Sequence, residues 1–156
     1  MAAPYDATTI ANRFIELAAK KGEQLTPMQL IKLSYIAHGF SLAINKRPLL
    51  DESVEAWRYG PVIPSLYRRL KHYGSNKVTK PIETLFGGIN PERLEEEDAK
   101  LVDIVFDKYG HFNGIQLSHL THRSGTPWDI TYKPDEYGLD IDNNVIRSHY
   151  ATLLTK

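Results

Sequence analysis

Apolar residues recur at helical spacing over most of the chain, and the breaks between stripes carry capping residues. Ile10, Phe14, Leu17 and Ala18 share one face, so the spacing predicts a helix from the region of Asp6 to Thr9 as far as about Lys21. Gly22 follows as the expected left-handed residue after its end. Thr26-Pro27-Met28-Gln29 opens a second helix: Thr26 caps, Pro27 suits the first position and Gln29 completes a capping box. From there Leu30, Ile31, Leu33, Ile36, Ala37, Phe40, Ala43 and Ile44 cover nearly the whole cylinder. A helix apolar all round is a buried one, so residues 27–44 are predicted to form the central helix.

The pattern then changes. Residues 48–51 read as a loop, and 54–59 are too β-prone and too short for a helix, which predicts a short strand. Pro64 opens a further helix with Leu66, Leu70 and Tyr73 on one face and Gly74 at its end. Residues 78–82 are the candidate for a second short strand, and 85–90, with Gly87-Gly88, for a connection. Asn90-Pro91 or the acidic run 95–98 starts the next helix, with Leu94, Leu101, Val102, Val105 and Tyr109 inward and Gly110 as the stop. Asn113 with Gln116 repeats the capping pattern before Leu117 and Leu120, and Thr126 caps a short turn at Pro127-Trp128-Asp129. Asp142 leads into a terminal helix with Ile146, Tyr150 and Leu153 inside. The expected fold class is mainly α: one compact helical domain over residues 1–156 with a small β-hairpin-like element.

Composition narrows the function classes. Lys plus Arg and Asp plus Glu both number 19, so the formal net charge is zero, which argues against general nucleic-acid binding through a positive field. The absence of cysteine removes thiol nucleophiles and disulfides and suits a cytoplasmic protein. No signal peptide and no membrane-length apolar run is visible.

Catalytic and metal motifs are incomplete. His119 and His122 are three apart, with His111 upstream, but no His-Glu-x-x-His pattern accompanies them. Ser118, Ser124 and Ser148 have histidines nearby without a Gly-x-Ser-x-Gly elbow, and Gly87-Gly88 lacks the Lys-Ser or Lys-Thr of a phosphate loop. The acids at 95–98 read as a solvated first helical turn. No enzyme, metal or cofactor is expected.

Two stretches remain as recognition candidates. Residues 53–67 combine Trp57, Arg58 and Tyr59 with the restricted step Gly60-Pro61, and form either a packed corner or a recognition surface. Just beyond, Arg68, Arg69, Lys71, Lys77 and Lys80 run without an acid among them, interleaved with Tyr67 and Tyr73. That patch reads as a solvated helix face, as a surface for single-stranded nucleic acid, or as a dock for an acidic partner.

Four ordered blocks resemble one family. They are Met28-Gln29-Leu30-Ile31-Lys32-Leu33-Ser34-Tyr35-Ile36-Ala37-His38-Gly39, then Arg47 to Glu52 with Glu55-Ala56-Trp57-Arg58-Tyr59-Gly60-Pro61-Val62-Ile63-Pro64, then Lys108-Tyr109-Gly110, then Leu117 to His122 with Pro127-Trp128. Together they are similar to the Panacea domain, also called the SocA-like antitoxin domain, over about residues 8 to 150. Ser34 departs from the pattern, in which an apolar residue is more usual at this place.

The resemblance implies a mostly helical fold and an antitoxin of a bacterial or phage toxin–antitoxin pair, neutralising its cognate toxin protein by direct contact. It implies a second possible partner, a protease, for members that act as adaptors delivering the toxin for degradation. An enzyme reversing a toxin's modification is a third reading, with little support in the residues. Many members carry a DNA-binding region for which 156 residues leave no room, so self-repression of an operon is not expected. The expected partner-binding residues are Trp57, Arg58 and Tyr59, with Tyr67, Arg68 and Lys71 beside them. A signature shared across antitoxins with dissimilar partners favours packing for Trp57 and the Gly60-Pro61 turn.

Overall fold

The helix predicted to be central is the one around which the others gather. A computed structural model describes residues 3–84, 86–90 and 92–155. Helix α1 spans Ala7–Lys20, and α2 spans Pro27–Phe40 with a π-helical turn, Ser41–Asn45, continuing it. The hairpin strands β1 (Glu55–Trp57) and β2 (Gly60–Val62) come next, then α3 (Pro64–Leu70) with a 3₁₀ turn, Lys71–Tyr73. The chain continues with α4 (Glu96–Tyr109), α5 (Gly114–His122), α6 (Pro127–Thr131), β3 (Leu139–Asp140) and α7 (Asn143–Leu154). Helices α1, α4, α5 and α7 all pack on α2, as do α3 and β2.

Local chemistry sets the helix ends. Thr26 and Gln29 form the predicted reciprocal capping box on α2, and Asn113 and Gln116 do the same on α5. Asp6, Thr126 and Asp142 each accept a backbone N–H at the start of α1, α6 and α7. Glu96, Glu97 and Asp98 occupy the first turn of α4, where the helix dipole favours negative charge. The alternative start at Pro91, like Leu85 in the predicted connection, lies outside the described residues.

The β element differs from expectation in its partner. Residues 78–82 form no strand; they run as irregular chain, with Val78 and Ile82 buried as anchors. Asn12 replaces a strand partner there, its amide donating to the Ile82 carbonyl at 3.1 Å and accepting the Ile82 N–H at 2.7 Å. The strand that pairs with β1 is instead its immediate neighbour β2, in antiparallel register with Ala56 opposite Pro61 and Trp57 opposite Gly60. Strand β3 adds to the other edge of β1, giving the order β2-β1-β3.

Buried polar groups mark where this core is specific. Asp98 is fully buried, accepting from the Tyr5 hydroxyl at 2.7 Å and from Arg47 at 2.9 Å, which ties the N-terminal segment and the loop after α2 to α4. His38 is also buried. Its Nδ1 accepts the N–H groups of Leu49 and Leu50, which places the ring proton on Nε2 facing Asn143 Oδ1. Burial pushes the His38 pKa down, so this histidine is a neutral hydrogen-bonding strut.

Two substitutions on α2 test this packing in opposite directions. A Cβ at Gly39 would lie 2.3 Å from the Tyr150 ring, so Gly39→Ala should destabilise by roughly 1–3 kcal/mol despite alanine's better helix propensity. Ser34 Oγ is buried without a hydrogen-bond partner among the described residues, so Ser34→Ala should stabilise by about 1 kcal/mol. Urea denaturation of the two variants measures both changes.

Candidate functional site

The turn between β1 and β2 is built from residues that cannot hold it alone. Arg58 and Tyr59 sit at its tip, and Gly60 takes the reversal at a φ of +124°, a value side-chain-bearing residues rarely adopt. Pro61 lies on the edge strand, where its missing N–H is tolerated. Three side chains from three different helices then take up carbonyls along this stretch. The Trp128 indole N–H of α6 donates to the Trp57 carbonyl, the Ser118 hydroxyl of α5 to the Tyr59 carbonyl at 2.9 Å, and the Lys32 ammonium of α2 to the Pro61 carbonyl at 2.9 Å.

Lys32 is the unusual member. It is only 3% exposed, and among the described residues it has no carboxylate partner. Burial drives its pKa down from 10.5 to about 7. Its position also explains Gly60, since a Cβ there would come within 2.8 Å of Nζ.

Beside this turn lies a groove of about 380 Å³, bounded by the start of α2, the hairpin and α3. Met28, Ile31 and Val62 supply its aliphatic wall, and Trp57 and Tyr67 its aromatic one, with ring centroids 4.9 Å apart in an edge-on arrangement. Lys32, Arg58 and Lys71 are its charged lining, with no acidic residue among the lining residues.

Five of the six residues expected at a partner surface therefore converge: Trp57, Arg58, Tyr59, Tyr67 and Lys71 all line the groove. Tyr59 is 68% exposed, with Arg58 over its ring at 5.4 Å. Arg68 is exposed on α3 but does not line the groove. Trp57 is half-buried and its indole donates to Glu55 at 2.8 Å, so the stretch is a packed corner that also forms a wall of the groove.

Sequence reasoning missed Lys32 and Trp128 as supports of this turn. The signal for Lys32 was present: a single cation on a helix otherwise apolar on every side. Trp128 had none, because its partner is 71 residues away.

The other candidates resolve into structure. Ser118 Oγ lies 3.3 Å from His122 Nδ1, but that hydroxyl donates to Tyr59, and His122 Nδ1 donates to the Ser118 carbonyl. No carboxylate orients the imidazole among the described residues, so the pair lacks the geometry of an activated nucleophile. Among the described residues no cluster of three or more His, Asp or Glu is placed to hold a metal, and no helix is long and apolar enough to cross a membrane.

The buried lysine has a measurable signature. Unfolded, Lys32 titrates near 10.5; folded, near 7. Between these values the unfolded chain binds more protons, so stability rises with pH across that window, and below about 7 the cost of the buried charge is fully present. Relative to Lys32→Met, the wild-type unfolding free energy should gain about 1 kcal/mol per pH unit between about pH 7.5 and 9.5. Paired urea titrations across that range give the slope; a flat difference would mean the ammonium is solvated.

Comparison with known proteins agrees with the resemblance in the sequence. The family model described as "Antitoxin SocA-like, Panacea domain" matches residues 30–129, which contain α2 from Leu30 onward, the hairpin, Ser118 and Trp128. The Antitoxin SocA of Caulobacter vibrioides (strain NA1000 / CB15N) is 32% identical over 131 residues, covering 80% of this chain and 69% of that protein. No solved structure matches the chain. Lys32, the turn, Ser118 and Trp128 thus lie within the matched region, with Met28 of the groove wall just before it, and the chain belongs to the SocA-like antitoxin, Panacea-domain family.

Proposed function

We propose that the protein is an antitoxin that neutralises a cognate toxin by direct protein–protein binding, with the groove beside the β1–β2 turn at the centre of the contact. Family membership carries the antitoxin reading. The groove supports the placement, because it gathers exposed aromatic and cationic side chains of the kind that dominate binding energy. Trp57, Arg58, Tyr59, Tyr67 and Lys71 form the contact, with Arg68 at its margin. A standard interface of roughly 1,600 Å² is larger than the groove, so flanking surface also takes part.

Neutralisation then follows mass action. At a free antitoxin concentration of about 100 Kd the bound state of the toxin is favoured by roughly 2.7 kcal/mol, leaving about one toxin in a hundred free. This requires no catalytic group, and it requires the two proteins in comparable amounts in the cytoplasm where both are made.

Co-expression with the candidate toxin, sought first among the genes adjacent to this one, is the test. Growth should be restored only when antitoxin is at least equimolar with toxin, and the two should co-purify. Failure of both for that toxin overturns the reading for the pair. Rescue by substoichiometric antitoxin with a shortened toxin half-life points to a protease adaptor, and rescue with a chemically altered toxin of unchanged half-life points to an enzyme.

A further inference from the structure

The groove carries a charge pattern that specifies more than a generic apolar contact. Its walls are aliphatic and aromatic, and its three ionisable cations, Lys32, Arg58 and Lys71, face no acid in the lining. None of the three is ion-paired among the described residues. The deepest is Lys32, whose single acceptor within hydrogen-bond reach among the described residues is the Pro61 carbonyl. An ammonium has three donors, and the described residues satisfy one of them. A buried charge paired with one neutral carbonyl gains most from an anion that arrives with apolar surface and displaces solvent as it docks.

We propose that the groove binds an acidic, aromatic-containing segment of the partner protein: a large apolar side chain packs against Trp57 and Tyr67, and an adjacent Asp or Glu carboxylate pairs with Lys32. Arg58 and Lys71, at the rim, draw in flanking acids and set the approach rate. The chemistry fits a protein segment better than a nucleic acid. Most of the lining is uncharged, the chain is neutral overall, and phosphate contacts need a denser field of cations than three. The assignment of that partner as the toxin rests on the antitoxin reading; the groove's preference does not.

Titrating the full, ¹⁵N-labelled chain with two short peptides tests the preference directly. One is acetyl-Ser-Trp-Asp-Asp-Ser-amide, the other its Asn-Asn counterpart. The acidic peptide should shift the amide signals of Met28, Val62 and Tyr67 and bind at least tenfold tighter than the neutral one. In Lys32→Met, which removes a buried charge and keeps an apolar stem, that ratio should fall toward one while the neutral peptide still binds. Lys71→Glu should weaken the acidic peptide severalfold at low salt. Equal affinity for both peptides, shifts confined to another surface, or no shifts at millimolar peptide overturn the proposal. So does displacement of the acidic peptide by an oligothymidylate at lower concentration than by the peptide itself, which would assign the groove to nucleic acid.

The same variants separate the two readings with the toxin. If Arg58→Glu with Lys71→Glu, checked as folded by circular dichroism, binds the toxin as well as wild type does, the groove is not the toxin site and the antitoxin reading stands. If the acidic peptide binds as described but the adjacent toxin neither binds nor is neutralised, the groove assignment stands and the antitoxin reading falls for that pair.

Discussion

The bond from the Lys32 ammonium to the Pro61 carbonyl joins the innermost helix to the most constrained turn, and much of the architecture answers to it. Taking an ammonium out of water costs several kcal/mol, and a single neutral carbonyl returns only part of that. Burial disfavours the charged form, so the pKa falls to about 7 and loss of the proton relieves the cost as pH rises. The same ammonium lies within 2.8 Å of where a Gly60 Cβ would sit, and the Gly60 φ of +124° disfavours a side chain there independently, so the turn and the buried cation are closely fitted. A neutral residue there would serve stability better. Its place in the wall of the groove is the observation behind the binding role proposed for it.

Around that bond the remaining polar contacts of the corner divide the work. Trp128 and Ser118 fix the two carbonyls ahead of Pro61 from α6 and α5, while the Trp57–Tyr67 ring pair joins the hairpin to α3. The groove is therefore a concavity whose hairpin wall is tied by hydrogen bonds to three helices. On the other side of α2 the chain uses a different device, the Tyr5–Asp98–Arg47 network, to hold the N-terminal segment and α4 together. Both devices spend buried charge where an apolar contact would pack more simply, and both fix the register of chain segments that have little regular structure of their own.

The helices were legible because their ends are written locally. Thr26 with Gln29 and Asn113 with Gln116 form reciprocal caps from residues three apart, and α2 announced its burial by being apolar on every face. The strand pairing was not. Gly60-Pro61-Val62 carries two residues that strands disfavour, so its role as β2 was hidden, and residues 78–82 drew the assignment although Val78 bonds the Leu25 carbonyl and Ile82 bonds Asn12. Strand β3, at two residues, is below what a pattern can reveal. At the site, Trp57, Arg58, Tyr59, Tyr67 and Lys71 stood out by type and density, and they do converge on one groove. Trp128 was invisible as a support because a hydrogen bond between distant residues leaves no trace in spacing.

The three-helix clasp on the turn also has a consequence for the order of events during synthesis. Helix α2, the hairpin and α3 precede Ser118 and Trp128 in the chain, so a nascent chain that reaches only α3 holds the groove's walls and the Lys32 donor but not the other two donors to the turn. The set of three donors is complete only when α6 has docked. A chain interrupted before that point carries the groove's residues with one of the three bonds that hold its turn.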